Sequence, residues 1–170
     1  MKVIPIHPLP SVVPHDLIEE AGNLFKVRLN DVSSVFDGLE LIYAFIDKLN
    51  SRFVSTFVTC SKGCAHCCNM DVQMTTLEAE YIVRATGIAH NIDTPLTTGH
   101  KTPCPFLSKM RVCTIYTYRP LVCRTYHVVS DPNLCSTSGV EVLQYGGTHG
   151  HMGNPAYRAA MEWVHFQNQH

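Results

Sequence analysis

The chain has 170 residues, 45% of them hydrophobic, with a formal net charge of -1 and a sequence pI of about 6.8. That length suits one domain with a real core, and the balanced, scattered charge offers neither a basic stripe for nucleic acid nor an acidic tail. No run approaches the roughly 20 apolar residues of a membrane span, and Pro5, Pro8 and Pro10 break the apolar start too early for a signal peptide, so a cytoplasmic protein is expected.

Residues 1–14 read as an extended, proline-rich arm that packs on its own domain or on a neighbour. Residues 15–58 read as a helical hairpin. In 15–29, Leu17, Ile18, Ala21, Leu24, Phe25 and Leu29 recur at helical spacing. In 33–58, Val35, Leu39, Ile42, Ile46, Leu49, Phe53 and Phe57 step by three or four along one face, and Ser33 or Ser34 suits the cap. The stripe is expected to pack as core between two antiparallel helices; a coiled-coil partner helix is the alternative. Thr75 to Glu78 forms a capping-box pattern for a short helix that Gly87 stops. Residues 88–103 read as loop.

Cys104–Leu107 and Val112–Tyr116 flank Ser108–Arg111 as a short β-hairpin. Pro120 suits the first position of a helical turn carrying Cys123 and Arg124. A strand is expected at 140–145. Asn154-Pro155 should cap a C-terminal helix over 154–168, with Tyr157, Ala160, Met161 and Val164 on one face. The expected class is mainly α, small α+β: N-terminal helical hairpin, cysteine-rich middle over 60–135, C-terminal helix.

The chemistry lies in eight cysteines. Cys60, Cys64, Cys67 and Cys68 fall close together; Cys104, Cys113, Cys123 and Cys135 follow at turns and hairpin ends. Disulfides suit neither a reducing compartment nor such crowding. Inert buried cysteine accounts for one or two residues, not a cluster. Thiolates are soft ligands for zinc, copper(I) and iron–sulfur clusters, and the C-x2-C spacing of Cys64 and Cys67 aims two sulfurs at one ion from a single turn. All eight are candidate ligands. Adjacent Cys67 and Cys68 rarely face the same ion, so one of them serves a second site or stays free. Eight thiolates make two four-sulfur sites or one with spares, and spacing alone does not divide them. Iron would favour a [4Fe–4S] cluster, whose three close cysteines and one distant one would be Cys60, Cys64, Cys67 and Cys123.

His66 sits inside the C-x2-C turn and reads as a non-ligating residue. His149 and His151 form a loose pair in a glycine-rich loop, and His127 is a candidate for a mixed Cys/His site. Arg119 and Arg124 flank Cys123; they either offset thiolate charge or pair with Glu78 or Glu80.

In order, C-x3-C-x2-C-C at 60–68, Cys104-Pro-Phe-Leu, Cys113-Thr-Ile-Tyr and Arg119-Pro-Leu-Val-Cys123-Arg resemble the CxxCxxCC (YkgJ-like) cysteine-cluster family, described as zinc- or iron-chelating, over about residues 60–135. Cys135 resembles that family's trailing cysteine. Flagellin lysine N-methylases are similar in their cysteine cluster, which implies methyl transfer by analogy. Cys60, Cys64 and Cys67 also have the spacing of radical S-adenosylmethionine enzymes, but the chain is too short past Cys68 and does not alternate strand and helix as a (β/α) barrel requires.

Three readings follow. The first is a metal-binding protein whose zinc or iron–sulfur cluster is mainly structural, a role ranked above catalysis. The second is an iron–sulfur redox or methyl-transfer protein. The third is an interaction or assembly protein that docks a protein partner, or a second copy as a homo-oligomer, through its arm and helix, with the metal as a staple.

Overall fold

The computed structural model describes residues 6–8, 12–61, 63–89, 103–137, 139–146 and 152–169. It is mostly helical with a small sheet, as the periodicity predicts. Helix α1 spans His15–Lys26 and buries Leu17 and Leu24; Asp16 lies in its first turn and Lys26 in its last, each suited to the helix dipole.

Helix α2, Val35–Arg52, is the centre of the fold. Ser34 caps it, its side chain accepting from the Asp37 backbone at 3.2 Å. It buries Leu39, Ile42, Tyr43, Phe45, Ile46 and Leu49, a wider face than a single partner helix needs. The width has a cause, because α2 packs against α1 and also against two later helices. Each fully buried aliphatic side chain contributes roughly 1.5–3 kcal/mol.

The helix stops at Arg52 rather than running to 58. Residues 53–59 are rich in β-branched side chains, and Ser55 and Thr56 bond back to the carbonyls of Ser51 and Phe53. A 3-10 turn at Val54–Thr56 results. It still sends Phe53, Val54 and Phe57 into the core, so the apolar stripe is kept while the helix is not.

Helix α3, Thr76–Thr86, opens with the predicted capping box between Thr75 and Glu78. Gly87 ends it with φ 71°, a left-handed conformation that a side chain would oppose. Of the loop expected over 88–103, only 88, 89 and 103 lie among the described residues.

The hairpin expected at 104–116 forms in short form, with the Ser108 N–H donating to the Val112 carbonyl at 2.9 Å and the Thr114 N–H to the Phe106 carbonyl at 2.8 Å. Ser108 and Val112 bond to each other, and pairing amounts to one antiparallel bridge, Leu107 to Cys113. Pro103 and Pro105 have no N–H to donate, and the Cys104 N–H is spent on the carbonyl of Cys68.

Helix α4, Leu121–Thr125, follows Pro120, which stands just before it as the cap. The sheet lies further on: β1 (His127–Val128), β2 (Gln144–Gly146) and β3 (Met152–Gly153) in that order, β1 antiparallel and β3 parallel to β2. The strand expected at 140–145 is thus shorter and shifted. Helix α5, Pro155–Gln167, has the predicted cap: Asn154 Oδ1 accepts from the Ala156 N–H at 2.9 Å. Its buried Tyr157, Ala160 and Val164 join the α2 residues in one core. Of the N-terminal arm, Ile6 donates its N–H to the Val129 carbonyl at 2.9 Å, beside the sheet. No helix among the described residues is long and apolar enough to cross a membrane.

Candidate metal centre

The cysteine-bearing segments are tied together through their backbones. The Thr59 N–H bonds the Val128 carbonyl at 2.8 Å, and Cys60 Sγ accepts from the Val128 N–H at 3.2 Å, which seats Cys60 against β1. From Ser61 to Met70 the chain winds by bonds spanning three residues: Cys64 to Ser61, Cys68 to Ala65, Asn69 to His66, Met70 to Cys67. The 3-10 helix itself covers Cys67–Asn69, so the turn holds Cys67 and Cys68 side by side in sequence on one short element. Cys104 is held at Cys68 by a 2.7 Å backbone bond, and Leu107 bridges onward to Cys113. Cys123 rides on α4. Cys135 sits in a 3-10 turn, Pro132–Ser136, that Asp131 caps.

All eight cysteines are unpaired, and none is fully buried. Cys67 and Cys123 meet solvent on one side and crowded protein on the other. Burial first, and neighbouring sulfurs second, push each thiol up to about 12. Cys60, Cys68 and Cys135 are raised by the same two causes in the same order. The sulfurs therefore disfavour one another's ionisation. A soft cation among them reverses that balance, since it replaces the protons and gathers the thiolates. Among the described residues no three His, Cys, Asp or Glu side chains already stand where they would hold one metal ion. Rotation of the cysteine side chains on these turns is needed to close on a metal.

Arg119 supplies positive charge near Cys123 and opposes the rise of its thiol. Its guanidinium lies 3.8 Å over the Tyr116 ring, and its Nε is buried without a hydrogen-bond partner. An orphaned cationic donor beside a cysteine fits a thiolate acceptor. Neither arginine pairs with Glu78 or Glu80. Both turn to Asp47 on α2: Arg119 at 3.7 Å, and Arg124 in a direct ion pair. Arg124 is 1% exposed, lies 4.0 Å over the Tyr43 ring, and donates to the carbonyls of Thr117 and Arg119. It is a buried clamp for the turn that carries Cys123, not a ligand to sulfur.

Glu78 has a parallel role. Its carboxylate accepts from the Tyr43 hydroxyl, the Leu121 N–H, and the N–H and hydroxyl of Thr75. It thus joins α2, the start of α3 and the start of α4.

His127 Nε2 meets the Arg124 carbonyl at 3.0 Å, and burial lowers its pKa to about 4. His66 is half-buried and lines an open cavity of about 480 Å³ with Gly63, Cys64, Asn69, Arg111 and Cys135. His149 and His151 lie outside the described residues. Tyr126 was not marked by spacing, yet burial and then Cys135, Cys67 and Cys60 push its phenol up to about 12, so it adjoins those three sulfurs. Its position three residues after Cys123 is the only signal the sequence offers.

The fold is therefore a helical scaffold that carries eight unpaired cysteines and, near Cys123, a buried Arg119 Nε without a hydrogen-bond partner. The chain belongs to the CxxCxxCC family, described as "Putative zinc- or iron-chelating domain", whose model matches residues 59–145. The match runs ten residues past Cys135, into β2. No curated protein and no solved structure matches the chain.

Proposed function

We propose that this protein is a metal-binding module in which zinc or an iron–sulfur cluster, held by the clustered cysteines, serves mainly to fix the loop-rich middle of the chain onto the α1–α2–α5 scaffold. One observation carries the reading: eight unpaired cysteines come from segments far apart in sequence, and at Cys60, Cys67, Cys68, Cys123 and Cys135 burial first and neighbouring sulfurs second raise the thiol pKa. Without a cation, that arrangement is electrostatically unfavourable above the thiol pKa and stabilised by little else. Segments 59–70 and 103–119 carry one short 3-10 helix near each end and a single β-bridge. Their hydrophobic contribution is small: Ala65 and Ile115 are their fully buried apolar residues. Bound metal would add folding free energy where the core adds least.

All eight cysteines are the candidate ligands, with Arg119 offsetting the charge of the thiolates near Cys123. The metal itself supplies coordination bonds to sulfur, and an iron–sulfur cluster would add one-electron chemistry. Arg124 and Glu78 position the Cys123 turn from behind.

Hydrogen exchange of metal-loaded and metal-stripped protein tests this. Metal removal should abolish protection in 59–70 and 103–137 while α1, α2 and α5 keep theirs. Equal protection in both states would refute a structural role.

A further inference from the structure

Metal binding gives no role to the open cavity of about 480 Å³ that Cys64, His66, Asn69, Arg111, Cys135 and Ser136 help to line. We propose that this cavity binds a small organic carboxylate, held by Arg111, that carries a hydrogen-bond donor of its own. Arg111 and the cavity define the site, whichever metal the neighbouring cysteines take. Small-molecule sites run from about 300 to 1,000 Å³, so the ligand belongs at the small end of that range.

Arg111 reaches the cavity from the turn of the 104–116 hairpin. Its φ is 59°, and among the described residues it is the one non-glycine residue with a left-handed backbone. A side chain there costs free energy that glycine would avoid. Hydrogen bonds enforce the conformation. The Arg111 N–H donates to the Ser108 carbonyl at 2.9 Å, the Val112 N–H to Ser108 Oγ at 3.1 Å, and the Ser108 N–H to the Val112 carbonyl at 2.9 Å. An arginine thus stands where glycine is favoured, and it borders a cavity. Strain kept at such a place points to use of the side chain.

The charges specify an anion. Among the described residues no carboxylate lines the cavity, and Arg111 is its one permanent charge. No acidic side chain among them pairs with its guanidinium, whereas Arg52, Arg119 and Arg124 each meet an aspartate. The planar fork of a guanidinium matches the two oxygens and single charge of a carboxylate. A phosphate monoester carries about two charges at neutral pH, and the described lining has no second permanent cation to meet the excess.

The neutral polar groups specify the donor. Asn69 Nδ2 donates to the carbonyls of Ala65 and His66 at 3.3 and 3.2 Å, and Ser136 Oγ donates to the Asn133 carbonyl at 2.7 Å. Their hydrogens are therefore in use, and what they retain is oxygen acceptors. A hydroxyl or ammonium on the ligand suits them.

The test uses full-length protein as purified, with its metal content measured alongside. Binding of lactate and of acetate is read by saturation-transfer NMR, and inorganic phosphate is added as a competitor. Lactate should bind saturably and acetate more weakly, and phosphate should displace lactate only at higher concentration than lactate itself requires. Arg111→Gln should weaken lactate binding roughly tenfold or more, as loss of a charge-assisted hydrogen bond does. Arg158→Gln, the same charge change at another exposed arginine, should leave it unchanged. Arg111→Gly removes the side chain and relaxes the backbone, so it should abolish lactate binding without lowering the melting temperature or the metal content. No saturable binding of lactate or acetate, unchanged binding in Arg111→Gln, or tighter binding of phosphate would overturn the carboxylate site. Equal affinity for acetate would overturn the donor on the ligand. Loss of metal in Arg111→Gly would overturn the site by giving the guanidinium to the thiolates instead.

Discussion

Replacing Glu78 with glutamine removes one charge and almost no volume, and its cost can be worked out donor by donor. Glu78 is 4% exposed, and four donors face its two oxygens. Oε1 accepts from Tyr43 Oη at 2.9 Å and the Leu121 N–H at 2.7 Å; Oε2 accepts from the Thr75 N–H at 3.1 Å and Thr75 Oγ1 at 3.0 Å. A glutamine keeps one oxygen and presents an NH₂ in place of the other. The Tyr43 and Thr75 hydroxyls can turn away, but each amide orientation leaves one backbone N–H, of Leu121 or Thr75, pointing at another donor. An unsatisfied buried donor costs about 1–3 kcal/mol, and bonds to a charged acceptor contribute about 1.5–3 kcal/mol. Glu78→Gln should therefore destabilise the protein by about 3 kcal/mol. With an m-value of about 2 kcal/mol/M in urea, the midpoint of unfolding followed by far-ultraviolet circular dichroism should fall by roughly 1.5 M. Glu19→Gln, at an exposed carboxylate 3.6 Å from the His15 ring, should shift it by much less. Equal shifts in the two variants would refute the view that Glu78 joins three helices.

Other expectations follow from single contacts. Asp47→Asn leaves the buried Arg124 guanidinium without its carboxylate. That should cost about 3 kcal/mol, the lower end for breaking a buried pair because Asp47 is itself half-exposed; urea unfolding measures it. A Cβ at Gly146 would stand 2.7 Å from the Thr125 carbonyl oxygen, so Gly146→Ala must move backbone. The loss should be about 2 kcal/mol, read as a melting temperature lower by roughly 5 °C. His127 has a folded-state pKa of about 4 against an ordinary 6.5. Between those values the unfolded chain takes up a proton that the fold refuses, so stability is complete above pH 6.5 and declines as pH falls toward 4. Urea midpoints at several pH values should show this slope, and His127→Gln should flatten it. An unchanged slope would show that another group is responsible.

What the sequence reveals follows the range of the interactions involved. Helix starts at Ser34, Thr75 and Asn154 are legible because capping is settled within three residues. The α2 stripe is legible because burial on one face imposes a period. The early end of α2 was hidden because Phe53 and Phe57 keep the helical spacing while reaching the core from a 3-10 turn. The hairpin forms but stays short, because two prolines lack an N–H and the Cys104 N–H is spent on Cys68, a contact between residues far apart in sequence. Asp47 was invisible as the partner of Arg119 and Arg124 for the same reason: on α2 it reads as an ordinary residue of the solvated face. The cysteines announced a metal centre by type and crowding. Their neighbours could be named only after the chain was folded.

The most direct test of the central claim is metal analysis of protein purified without oxygen, paired with its visible spectrum and a count of reactive thiols. Stoichiometric zinc without colour, or iron and sulfide with broad absorption near ~400 nm, is the predicted result, with the cysteines shielded from alkylation until the metal is removed. Protein that holds neither metal and whose eight cysteines all react at once would contradict the account.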